Sequence, residues 1–156
     1  AAGVLHPPYG SDYFAYRGDI WDRLPPLIVG RVGIDNELIY HCRVAGVPVY
    51  DASEVITVIH QNHDYRHLPR GEHGIRTGPE ALVNQQPAVQ RAFSCNLLDA
   101  DWRLTEKGAR RNFCRGNWRR YLEVLYRLRR GTPTGALLGA GLFLFRAFSR
   151  RGGSPR

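Results

Sequence analysis

Two glycines, Gly33 and Gly46, bracket a segment whose apolar residues repeat at helical spacing. Ile34, Leu38, Cys42 and Ala45 recur at intervals of four, four and three, which puts them on one face of a helix. Asp35 and Glu37 fall in its first turn, where carboxylates complement the positive end of the helix dipole. Gly46 supplies the stop. Val47 to Tyr50 then reads as a short strand, with Pro48 favouring a strand start or an edge. Glu54 to His60 alternates Val55, Thr57 and Ile59 against Ile56, Val58 and His60, which predicts a further strand. Helix, glycine turn, strand, turn, strand is an α/β or α+β layout.

The flanking sequence fills in this frame. Asp12 to Arg17 is aromatic and alternating, as a strand would be, and Asp22 to Pro26 reads as a turn. Leu27-Ile28-Val29 leads into a flexible loop, Gly30-Arg31-Val32-Gly33. Residues 61–79 read as a polar loop longer than ordinary connectors, and such loops are often functional. Pro79 to Phe93 predicts a helix interrupted near Pro87, and Leu97 to Leu104 a short strand and turn. Trp118, Tyr121, Leu122, Leu125 and Leu128 mark an amphipathic helix with arginines on its other face.

A hydrophobic share of 43% beside 23% charged residues is that of a globular chain, and 156 residues suit one domain of ordinary size. The net charge of +8 is unevenly placed: residues 1–100 carry −3 and residues 101–156 carry +11. Such asymmetry points to a basic segment that meets an anionic surface. Gly135 to Phe145 is 11 uncharged residues, well short of the roughly 20 that a spanning helix needs, so a core or interfacial helix is expected. No secretory signal opens the sequence, and the chain is expected to be cytoplasmic or peripheral at a membrane. The chain contains no methionine, Ala1 included, which suggests the later part of a longer gene product. Cys42, Cys95 and Cys114 are an odd number without CxxC spacing, which disfavours a disulfide framework or a cysteine-rich zinc site.

Two groups of residues could carry chemistry. The glycine loop delivers Asp35 and Asn36 to a helix start, where a carboxylate can face a cleft and accept a proton from a hydroxyl. The bland reading of Asp35 is a helix cap. The second group is His60, His63, His67 and His73, four histidines within fourteen residues, with none further on. It fits either a divalent-metal site or a hydrogen-bonded polar loop.

Together, DYFAYR, LPPLIVGRVGIDNELIYHCRVAGVPVYDASEVITVIHQNHDY and the later LLDADWRLTEKGAR resemble the distal half of GT-A-like nucleotide-sugar transferases over about residues 10–110. The resemblance implies the distal half of a Rossmann-like mixed sheet with flanking helices. It divides the chain into a partial transferase domain at 1–110, a basic amphipathic helical extension at 111–149 and a disordered tail at 150–156. The activity implied is transfer of a sugar from a nucleotide-sugar donor to a hydroxyl acceptor, incomplete in this chain alone. Asp35 corresponds to the acceptor-side acid and, in inverting members, the general base. Gly30, Arg31, Asn36 and Asp12 are the implied substrate contacts. His60 and His63 are the implied ligands of a divalent ion, Mn²⁺ or Mg²⁺.

The departures from the family pattern are specific. Asp35 is followed by Asn36 rather than preceded by a glutamate, so the usual acidic pair is not reproduced. No DxD precedes Asp12, and the one spelled by Asp99 and Asp101 comes in the wrong order and reads as a turn. The donor-binding half is therefore expected to be missing. A remnant that keeps the fold without a donor site is one alternative. A nucleic-acid-binding protein or histidine-metal nuclease is another. Nucleic acid is not the expected partner, because the basic excess does not overlap the histidines; an anionic membrane met through residues 113–151 is.

Overall fold

A computed structural model describes residues 7–11, 13–20, 24–60, 65 and 70–151, with side chains described as far as residue 143. The chain forms two compact units, Ala1–Asn112 and Phe113–Arg156.

The first unit is mixed α/β. Helix α1 covers Ile34–Val44 and ends where Gly46 takes a positive φ of 73°. Strand β1 is only Tyr50–Asp51. Helices α2, Gly71–Thr77, and α3, Pro79–Arg91, follow. A single turn of 3-10 helix at Leu97–Asp99 then leads to β2, Trp102–Thr105, and β3, Gly108–Arg111. The sheet runs in the order β1-β2-β3. β1 lies parallel to β2, with Tyr50 opposite Trp102, and β2 and β3 form an antiparallel hairpin. The register stacks the Tyr50 and Trp102 rings 6.2 Å apart and sets the Arg111 guanidinium 4.2 Å from the Trp102 ring centre.

The core holds Leu38, Ile39, Ala81, Phe93, Cys95 and Ala100, and buried beside them are Glu37, Asp51, Asn84, Asp99 and Asn112. Those polar groups tie elements together. Asp99 closes a reciprocal capping box with Asn96. Asp101 accepts a hydrogen bond from Val49 N–H at 3.1 Å and pairs with Arg43 Nε at 3.1 Å, which bolts α1 to the strand ends. Asn112 donates to the carbonyls of Leu98 and Ala100. The DxD triplet is thus structural, in keeping with its reading as a turn.

Several expectations change. Residues 13–17 form no strand, and Tyr13 and Tyr16 are exposed. Glu54 to His60 is not a strand either. Val55 and Ile56 N–H both donate to Ala52 C=O in a tight turn, and Ile59 beyond it is 90% exposed. Part of the expected loop is α2, which has no buried residue and so no apolar periodicity by which to find it. Helix α3 runs unbroken through Pro87; fully buried Ala81 and Asn84 anchor its earlier turns against the core.

The second unit is a helical pair. A 3-10 turn at Cys114–Gly116 precedes α4, Trp118–Leu128, and α5 spans Pro133–Arg151. Asn117 caps α4, its side chain accepting from Arg120 N–H at 3.0 Å. Small residues let the two helices approach: Gly139 faces the Tyr126 ring, and Gly135 faces the Arg129 carbonyl. Helix α5 enters the stretch expected to be a disordered tail, and residues 152–156 lie outside the described residues. Among the described residues, no helix is long and apolar enough to cross a membrane.

Candidate functional site

The site is built around the start of α1. Its N-cap is Gly33, at φ 98°, a conformation that side chains resist. Gly33 is also pressed against α3: a Cβ there would stand 3.3 Å from the Cβ of Asn84. Asn84 is fully buried and holds the loop at both ends. Its Oδ1 accepts from Ile28 N–H at 2.8 Å, and its Nδ2 donates to the carbonyls of Ile28 at 2.9 Å and Arg31 at 3.2 Å. One amide thus pairs three backbone groups of the loop. Arg31 Nε pairs with Glu80 Oε2 at 2.5 Å, a second tie from the loop to α3.

Asp35 follows this fixed loop. It lies one residue inside the helix, so Gly33 and not Asp35 is the cap. Its Oδ2 accepts a hydrogen bond from Ser11 N–H at 3.1 Å, and the residue is half-buried. A carboxylate so placed is held at the positive end of α1. Asn36 turns inward, its Nδ2 donating to Cys95 C=O at 2.6 Å. Gly30 is exposed at the loop's tip.

Directly beneath, Glu37 is fully buried. Arg91 grips it with both terminal nitrogens, Nη1 to Oε2 at 3.0 Å and Nη2 to Oε1 at 2.6 Å, and lies 3.7 Å from the Tyr40 ring centre. His41 Nε2 stands 3.4 Å from Glu37 Oε2. Burial lowers the His41 pKa below the ordinary 6.5, helped by Arg91 and opposed by Glu37. Burial also raises the Cys42 pKa. His41 and Cys42 line a cavity of about 160 Å³ together with Asp19, Ile20, Leu24, Ala45 and Val47.

Gly30, Arg31, Asp35 and Asn36 thus lie along one loop and helix start, with Arg31 paired to Glu80 and Asn36 donating to Cys95 C=O. Asp12 and His63 lie outside the described residues, as does His67. His60 is exposed in coil, and His73 lies on α2. Among the described residues, no three histidine, cysteine or acidic side chains converge as a metal site. The described residues do not form a divalent-ion site on their own.

Asn84, Glu80 and the Glu37–Arg91 pair escaped sequence reasoning. Glu37 read only as a first-turn acid that complements the helix dipole, and that reading carries no sign of its burial. The partners of all these groups lie 49 to 56 residues away along the chain. Comparison with protein families, curated proteins and solved structures finds no match to this chain.

Proposed function

We propose that the unit Ala1–Asn112 is the acceptor-side part of a GT-A-type glycosyltransferase domain. It would transfer a sugar from a nucleotide-sugar donor to a hydroxyl acceptor. The observation that carries this reading is the placement of Asp35. It sits on the first turn of a helix, behind a glycine loop that Asn84 pins at Ile28 and Arg31.

In this reading Asp35 takes the proton of the acceptor hydroxyl as its oxygen bonds to the anomeric carbon. The bond from that carbon to the nucleoside diphosphate breaks, and its electron pair leaves with the diphosphate. Holding Asp35 through a rigid loop and the Ser11 amide suits this role, because general base catalysis demands hydrogen-bond reach to the hydroxyl. The exposed loop at Gly30 and Arg31 lines the acceptor side, with Asp12 as a further contact. Most of the diphosphate contacts would come from a separate donor half. Its divalent ion is assigned to that half, with His60 and His63 proposed as further ligands.

The test is a transfer assay across UDP- and GDP-sugars with hydroxyl acceptors, using a polypeptide that also carries a donor half. Labelled product is expected there, and the 156-residue chain alone should bind UDP or GDP weakly. Micromolar affinity of the isolated chain for either nucleotide would contradict the division into halves.

A further inference from the structure

Helix α5 is apolar on both sides. Its inward positions, Gly135, Leu138, Gly139 and Leu142, are buried or half-buried. Its outward positions from Ala136 to Phe143 are Ala136, Leu137, Ala140, Gly141 and Phe143, none of them polar. Leu137 is 76% exposed and Phe143 72%. A helix that is hydrophobic all round belongs in a core or in lipid, and this one shows a full side to solvent. Phe113, Trp118 and Tyr121 of the same unit form a ring cluster with centroids 5.0 to 5.7 Å apart. Trp118 in that cluster is 58% exposed.

Charge decides what covers this face. Residues 113–156 carry ten arginines and a single acid, Glu123, with no lysine and no aspartate. Arg115, Arg119, Arg129 and Arg130 are exposed. A second copy would bring the same positive charge against it and be repelled. Nucleic acid would satisfy the arginines but leave Leu137 and Phe143 in water. An anionic lipid surface satisfies both, taking the arginines at its headgroups and the apolar side chains at the acyl boundary. The uncharged run Gly135 to Phe145 is 11 residues, so α5 would lie along the interface rather than cross it.

We propose that the unit Phe113–Arg156 is an interfacial membrane anchor that binds anionic lipid through the outward face of α5 and the surrounding arginines. This inference stands apart from the transferase reading and would survive its failure.

The experiment is flotation of the full 156-residue chain with vesicles of phosphatidylcholine alone or mixed with phosphatidylglycerol, at low and high salt. Binding is expected on the mixed vesicles and is expected to fall with salt. The double variant Leu137→Gln/Phe143→Gln should weaken partition by at least about tenfold. Both side chains point to solvent, so helicity by circular dichroism should be unchanged. Arg129→Gln/Arg130→Gln, at exposed positions beyond α4, should weaken it by roughly 5-fold per arginine. Equal binding to neutral and anionic vesicles would overturn the proposal, as would indifference to Leu137→Gln/Phe143→Gln. Salt-sensitive binding to a DNA or RNA oligonucleotide with no vesicle binding would overturn it in favour of a nucleic-acid partner.

Discussion

Arg91 holds both carboxylate oxygens of Glu37, at 2.6 and 3.0 Å, and Glu37 has no exposed surface. The pair joins α1 to the last turn of α3 across 54 residues of sequence. Removing one member of a buried pair strands the other charge, which costs about 3–5 kcal/mol, whereas apolar replacement of both is often neutral. Arg91→Met is therefore expected to lose about 3–5 kcal/mol in urea unfolding. The double variant Glu37→Leu/Arg91→Met should recover most of that loss. Equal losses in the single and double variants would show that the pair contributes packing alone.

The glycine loop depends on Gly33 and Asn84 together. Gly33→Ala places a methyl group at φ 98°, 3.3 Å from the Asn84 Cβ, and should cost about 1–2 kcal/mol. Asn84→Ala leaves the Ile28 and Arg31 backbone groups without their partner and should cost about 2–3 kcal/mol. Chemical denaturation of each variant checks these values. Hydrogen exchange at Ile28 N–H should rise in Asn84→Ala more than at the far end of α1.

His41 makes stability depend on pH. Its folded-state pKa lies below 6.5, with burial the leading cause, so the unfolded chain binds this proton more readily. Stability should consequently rise with pH up to about 6.5 and level off above it, as far as this group is concerned. Acidification from about pH 7 to about 5 should lower the Tm. His41→Gln should flatten that part of the profile, before most carboxylates titrate. An unchanged slope in His41→Gln would assign it to other groups.

Local signals were legible in the sequence, and long-range ones were not. The α1 boundaries followed from the Ile34–Leu38–Cys42 spacing and from Gly46, and α4 from the spacing of Trp118, Tyr121, Leu122, Leu125 and Leu128. The strand readings at 12–17 and 54–60 rested on alternation alone. Alternation shows that a segment can pair, not that a neighbour is present, and the chain enters residues 54–60 through a tight turn at Ala52. Strand β3 has no apolar face by which to recognise it: Gly108, Ala109, Arg110 and Arg111 are all exposed. At the candidate site, the cluster of Gly30, Arg31, Asp35 and Asn36 was visible because it is contiguous. Asn84 and Arg91 were not, because their role comes from packing α3 against α1.

The transferase reading turns on one carboxylate, and Asp35→Asn in a polypeptide that also carries a donor half tests it most directly. Asparagine keeps the size of the side chain, and its Oδ1 can still accept from Ser11 N–H. The proton acceptor is lost, so the rate of sugar transfer should fall by about 10²–10⁴-fold with the Tm unchanged. Turnover equal to that of the parent, or unfolding of the variant, would contradict the assignment of Asp35 as the base.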